Sequence, residues 1–240
     1  MFSISRRNLL LAAVLTPQAA AEAANRRLRV VITGGHPGDP EYGCGGTAAR
    51  FSDLGHQVTL LYLNKGEKSC PGTPDDPGST VRTAEAEKAC AILKTHPKFA
   101  RQCDGHAVVD AAHYDDFHQL IETLEPDILF TQWPLDHHRD HRATFQLSYD
   151  AWFRSKKKFA LFLYEVSDGE DTFMFAPTRY VDISAVEPRK RAACYAHASQ
   201  TPDRYYALQS EVARFRGIES GFRQAEAFVE HVGGPKILLP

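Results

Sequence analysis

The chain has 240 residues, 43% of them hydrophobic and 24% charged, with a formal net charge of -2. That length carries one sizeable core and is short for two, so a single domain of the α/β size class is expected. The near-neutral balance offers no basic excess for nucleic acid and no acidic tail of the kind that stays disordered.

Residues 1–23 read as an export signal. Arg6 and Arg7 precede an apolar run over 9–15, small residues follow over 19–24, and Ala21-Glu22-Ala23 fits a cleavage site. The apolar run is shorter than the roughly 20 residues needed to span a bilayer. The order Ser5-Arg6-Arg7-Asn8-Leu9-Leu10 is similar to a twin-arginine signal. It predicts a periplasmic or extracellular destination, a mature domain over 25–240 and no membrane span in that domain.

The segment RLRVVIT (27–33) is a short β-branched run, read as a buried strand. EYGCGGTAARFSDLG reads as a helix closed by Gly55. HQVTLLYLN (56–64) is a second strand. KGEKSCPGTPDDPGST (65–80), crowded with Gly, Pro and Asp, reads as an exposed loop; around Asp75 and Asp76 it is either a mobile lid or a plain loop. VRTAEAEKACAILK (81–94) is a helix, HAVVD (106–110) a short strand, and YDDFHQLIETLEP (114–126) a helix stopped by Pro126. DILFT (127–131) is a further buried strand, and DHRATFQLSYDAWF a further helix. This alternation predicts a Rossmann-like α/β domain, a mostly parallel sheet with helices on both faces.

The last third changes character. KFALFLYEV (158–166) and TFMFAPTRYVDIS (172–184) are β-rich, EPRKRAACYAHASQ (187–200) is helical, and AEAFVEHV (225–232) returns to the body. This β-rich C-terminal extension is expected to lengthen the sheet or cover its rim. Trp133 and Trp152 read as core, and Lys156, Lys157 and Lys158 as a solvated charge run. Five cysteines, Cys44, Cys70, Cys90, Cys103 and Cys194, include no CxxC spacing, which excludes a full disulfide framework. Buried free thiols are expected, with one pair left open.

Ligands of parallel sheets collect beyond the carboxyl ends of the strands. Two polar clusters follow strand ends here: GGHPGDPEYGCGGT (34–47) and QWPLDHHRDH (132–141). A catalytic zinc takes three protein ligands and keeps one position open. His36 and Asp39, at a strand-to-helix turn, can face one point, and His141, in the first turn of a later helix, is the candidate third ligand. Each alone has a plainer reading: a turn histidine, a helix cap, a surface histidine. Two clusters on one rim favour the metal. The glycines lack G-x-G-x-x-G spacing, which leaves a nucleotide-binding oxidoreductase a faint rival.

Together these residues resemble the PIG-L (LmbE-like) family of zinc-dependent N-acetylglucosaminyl de-N-acetylases. That family carries H-P-D-D-x-E before a glycine-rich helix start, and later H-P-D-H. Here the elements are His36-Pro37-Gly38-Asp39-Pro40-Glu41 with Gly43-Cys44-Gly45-Gly46-Thr47, then His138-Arg139-Asp140-His141. Weaker echoes are LNKGE (63–67), RTAEAEKA (82–89), EPDILFT (125–131), HASQ (197–200) and AEAF (225–228). The likeness follows nearly the whole mature chain in order.

The resemblance implies one zinc ion on His36, Asp39 and His141. It implies His138 as the residue that stabilises the oxyanion and helps protonate the leaving amine, with Asp140 orienting it. Arg82 matches an arginine that holds substrate; beside it, Glu85 and the strand-end Asn64 are weaker candidates, and a surface salt bridge is the plainer reading of Arg82 with Glu85. The implied activity removes acetyl from an N-acetylated amino sugar or glycoconjugate, a small-molecule partner. Two departures stand out. Arg139 replaces a proline, and Gly38 replaces the aspartate that serves the family as general base. Three outcomes stay open: another carboxylate, Glu41 or preferably Asp136, takes over; water reacts unaided or with substrate help; or the chain is a zinc-holding carbohydrate-binding protein without turnover.

Overall fold

The computed structural model describes residues 26–70, 76–166 and 172–240; the segment read as an export signal, and Asp75, lie outside them. Strand β1 (Arg29–Gly34) is buried from its second residue onward, as its β-branched run requires. It pairs in parallel with β2 (Gln57–Tyr62) on one side and β4 (Ile128–Gln132) on the other. β3 (His96–Phe99) joins β2 and β5 (Ala160–Tyr164) joins β4, both in parallel. β7 (Ala225–Glu230) lies antiparallel between β5 and β6 (Arg179–Asp182), so the sheet runs β3-β2-β1-β4-β5-β7-β6. The sheet therefore keeps a parallel centre and gains an antiparallel edge from the C-terminal extension.

Helices cover both faces. Val30 and Ile32 of β1 pack with α1 (Asp39–Asp53), α2 (Pro77–Leu93), α5 (Glu187–Tyr195) and α6 (Pro202–Ser220). Val31 points the other way, into a core with Phe117 and Ile121 of α3 (Ala111–Leu124) and Leu147 and Trp152 of α4 (Arg139–Arg154). That alternation is the period of two of a strand buried on both sides. Among the described residues no helix is long and apolar enough to cross a membrane.

The glycine-rich start of α1 serves packing. A Cβ on Gly43 would stand 2.2 Å from the Tyr164 ring, and one on Gly46 would stand 2.5 Å from Ile183. The bare backbone lets α1 lie close against β5 and the C-terminal segment.

Several expectations are corrected. The segment 106–110 is not a strand; the third strand is β3, four residues long. It contains Pro97, tolerated because β3 is the sheet edge. α2 begins at Pro77, capped by Asp76, whose Oδ1 accepts from Gly78 N at 2.8 Å, so Asp76 belongs to a helix start and not to a lid. Only Arg179–Asp182 of the segment 172–184 is strand. The helix expected over 187–200 ends at Tyr195, and α6 follows where nothing was assigned. Trp152 is fully buried, whereas Trp133 is only half-buried. The cysteines follow expectation: Cys70 and Cys103 form the one pair left open, and Cys44, Cys90 and Cys194 are free and buried.

Candidate metal centre

The chain leaves β1 toward β2 and leaves β4 toward β5, so the adjacent ends of β1 and β4 open the crevice where such sheets bind ligands. The turn after β1 is tied to β4 by Gly35 N, which donates to Gln132 Oε1 at 2.9 Å. Gly38, with φ of 115°, brings the chain into α1 in a conformation that favours glycine. Asp39 opens that helix and folds back, its Oδ2 accepting from His36 N at 2.9 Å and from Gln132 Nε2 at 3.1 Å. Beyond β4, His138 caps α4, its Nδ1 accepting from Asp140 N at 3.2 Å. That cap directs His141 into the crevice from the first turn.

The two clusters meet. Asp39 Oδ2 lies 3.1 Å from His141 Nε2 and 3.4 Å from His36 Nδ1. The His138 ring stands beside both, 4.6 Å from the His36 ring and 4.8 Å from that of His141, centre to centre. Nitrogens of the three histidines fall within 4.8 Å of one another.

Carboxylates surround these imidazoles. Asp140 is fully buried; its Oδ2 lies 3.1 Å from His36 Nε2 and accepts from Asn64 Nδ2 at 3.1 Å. The Asp140 carboxylate thus backs His36 rather than His138, and Asn64 is spent on holding it. Asp136 Oδ1 lies 3.1 Å from His141 Nδ1 and accepts from His138 N at 2.7 Å, on the side of His141 away from Asp39. Glu41, also fully buried, accepts from Tyr62 OH at 2.7 Å and pairs with His197 Nε2 at 3.0 Å. It fastens the turn through Gly38 N, 3.2 Å away. Neither Asp136 nor Glu41 lines the pocket.

That pocket, about 360 Å³, is lined by His36, Gly38, Asp39, Arg82, Asp104 and His138 among others. The volume lies in the range of small-molecule sites. Arg82 Nη2 donates to Pro37 O at 2.7 Å, which places the guanidinium in the wall. Glu85 instead holds Ser199. Beyond the residues that the motifs single out, the lining includes His197 and Asp104. His197 belongs to the HASQ echo, a signal that was visible. Asp104, 3.1 Å from His36 Nε2, sits in no motif.

The charges favour a cation. Burial disfavours a charged His36, yet Asp104, Asp140 and Asp39 together hold its pKa well above the usual imidazole value. Burial likewise opposes a charged His141, but Asp39 and Asp136 raise it to about 9. Asp39 is pushed up by burial and pulled further down by His141 and His36, ending well below the carboxylate range. Asp104, hydrogen-bonded to His36, falls to about 2. Of the three clustered histidines, His138 is the one held low, by burial and then by positive charge on His36 and His141. The cluster carries more negative charge than neutral imidazoles balance, and a divalent cation meets that demand. Two imidazole nitrogens with one carboxylate oxygen are a donor set that suits zinc.

The comparisons agree with this architecture. Residues 31–152 match the model of the PIG-L family, GlcNAc-PI de-N-acetylase. The chain is 26% identical to the uncharacterized deacetylase YaiS of Escherichia coli (strain K12) over 142 residues, 54% of this chain and 71% of YaiS. Its structure is similar to that of the conserved protein TT1542 from Thermus thermophilus, with a TM-score of 0.74 and 27% identity over 88% of this chain and 97% of that one. It also shares the fold of the N,N'-diacetylchitobiose deacetylase from Pyrococcus horikoshii, with a TM-score of 0.72 and 21% identity over 92% and 94% of the two chains. With the metal-type cluster formed by the very motifs that carry the likeness, the chain belongs to the PIG-L (LmbE-like) family of deacetylases.

Proposed function

We propose that the protein is a zinc-dependent N-deacetylase that removes acetyl from an N-acetylated amino sugar or glycoconjugate. The observation that carries this reading is the meeting of His36, Asp39 and His141 beside His138 in a pocket of small-molecule size. Zinc bound there would polarise the acetamide carbonyl and activate water for attack. His36 and His141 present the nitrogens that face Asp39. His138 uses Nδ1 to accept the Asp140 amide, which leaves the proton on Nε2 and makes that nitrogen a donor. A donor aimed at a developing oxyanion is typically worth about 10²–10³ in rate. Arg82, in the pocket wall, is the candidate to hold a sugar hydroxyl.

Gly38 offers no proton acceptor, and Asp136 and Glu41 face His141 and His197 instead of the pocket. General-base assistance is typically worth about 10²–10⁴. Its loss favours a second reading, a zinc-holding carbohydrate-binding protein. Acetate release from a panel of N-acetylated sugars, with and without chelator, separates the two. Chelator-sensitive release supports the deacetylase; no release from a chain carrying one equivalent of zinc leaves the binding protein.

The same reading places the protein outside the cytoplasm, on the strength of Arg6, Arg7 and the apolar run that follows. Fractionation of cells expressing the Arg6→Lys/Arg7→Lys variant tests it. Retention of the variant in the cytoplasm is expected; unaltered export would sink a twin-arginine route.

A further inference from the structure

The segment 102–107, which follows the edge strand β3, touches the candidate metal centre at three points. Asp104 Oδ1 lies 3.1 Å from His36 Nε2. Gly105 N donates to Asp140 Oδ2 at 2.7 Å, and Ala107 N donates to Asp140 Oδ1 at 3.2 Å. Asp140 Oδ2 in turn lies 3.1 Å from the same His36 nitrogen. One short stretch therefore supplies or holds both carboxylates that back His36.

β3 anchors this stretch weakly. It is four residues long, alternates exposed and half-buried, and pairs on one side only. The firmer attachment is to the loop after β2. Cys103 is bonded to Cys70, Asp104 N donates to Ser69 O at 2.9 Å, and Lys68 N donates to Asp104 Oδ2 at 2.9 Å. That loop also carries Glu67, which accepts from Gln200 Nε2 at 3.1 Å and lies 3.8 Å from Arg82 Nη1. The disulfide thus joins the support of His36 to the wall of the pocket.

We propose that Asp104 is a positioning residue for His36, and that the Cys70–Cys103 disulfide is the clamp that keeps it there, so that the centre reaches full zinc affinity only with the bond closed. The proposal rests on the metal reading given above. A metal-bound imidazole is oriented by the partner on its other nitrogen, and loss of that partner typically lowers affinity about 10–100-fold. Without the cross-link, ordering 102–107 must be met from contacts that a short edge strand supplies poorly.

The test is zinc affinity, measured by competition with a chromophoric chelator on the purified chain. Asp104→Ala is expected to bind zinc about 10–100-fold more weakly than wild type. Asp104→Asn keeps an acceptor toward His36 and should recover most of that loss. Cys70→Ser/Cys103→Ser should lose affinity in the same range while its circular dichroism stays native. The triple variant should lose no more than Asp104→Ala alone, because both changes act through one contact. If the double variant fails to fold, wild-type protein reduced with a phosphine is titrated in its place and should show the same loss. Wild-type affinity in Asp104→Ala, or losses that add in the triple variant, would overturn the proposal and leave the metal reading intact. A wild type that binds no zinc overturns both.

Discussion

Asp39 Oδ2 lies 3.1 Å from His141 Nε2, although Asp39 opens α1 and His141 sits in the first turn of α4. A contact between a buried imidazole and a half-buried carboxylate so far apart in the chain is what a shared cation needs. Asp39→Ala and His141→Ala should each reduce the zinc retained after dialysis from one equivalent to none, read by metal analysis. His138→Asn should separate the roles. The amide can keep the α4 cap that His138 supplies, so zinc stays bound, while the Nε2 donor is lost and turnover falls by about 10²–10³. Zinc loss in His138→Asn would make His138 a ligand.

The raised imidazoles predict a pH dependence with a definite sign. In chelated protein His141 keeps its proton up to about 9, well above the value near 6.5 expected of an unfolded histidine. The folded state then holds more protons than the unfolded state between those values, so stability falls as pH rises through that window. Below it the contribution is fully present. His36, shifted in the same direction, adds to the trend. Thermal melting of chelated protein should therefore drop between about pH 6.5 and 9, whereas zinc-loaded protein, whose ligand nitrogens bind as neutral imidazoles, should show a flatter profile. Parallel profiles would mean that these rings do not face the metal.

Gly43→Ala sets two effects against each other. Alanine gains about 1 kcal/mol of helix propensity over glycine. Its Cβ, however, would stand 2.2 Å from the ring of Tyr164, which is fully buried and hydrogen-bonds Thr33 O at 2.7 Å. Overpacking costs about 1–3 kcal/mol, and displacing the hydroxyl costs roughly 1 more. The balance is a loss of stability, seen as a lower midpoint in urea. A higher midpoint would mean that α1 does not pack on β5 as described.

The parallel centre of the fold was legible because β1, β2 and β4 are compact apolar runs whose ends meet glycine, proline or polar clusters. β3 was not, since HPKF carries neither the alternation nor the length that marks a strand. α6 escaped because its buried positions, Tyr206, Gln209, Ala213 and Gly217, make no apolar stripe. In the site, His36, Asp39 and His141 follow from motifs next to strand ends. The carboxylates behind them follow only in part. Asp140 could be named as an outer partner, but which ring it backs is decided by how α4 docks on β1. Asp104 reaches His36 through an edge strand and a disulfide, neither of which leaves a local pattern.

Position 38 offers the most informative substitution. Gly38 has a φ of 115°, where side chains other than hydrogen are strained by about 1–3 kcal/mol. Space is not the obstacle, since a Cβ there would meet nothing closer than 3.6 Å, the ring of Tyr42. Gly38→Ala and Gly38→Asp should therefore lose similar stability by urea unfolding, and Ala becomes the reference for Asp. Any difference in turnover between them reports the carboxylate alone. On the proposed reaction, in which position 38 supplies no base, Gly38→Asp should exceed Gly38→Ala by about 10²-fold in acetate release, the lower end of general-base assistance. Equal turnover would mean that another group, Asp104 foremost by its place in the pocket, already fills that role.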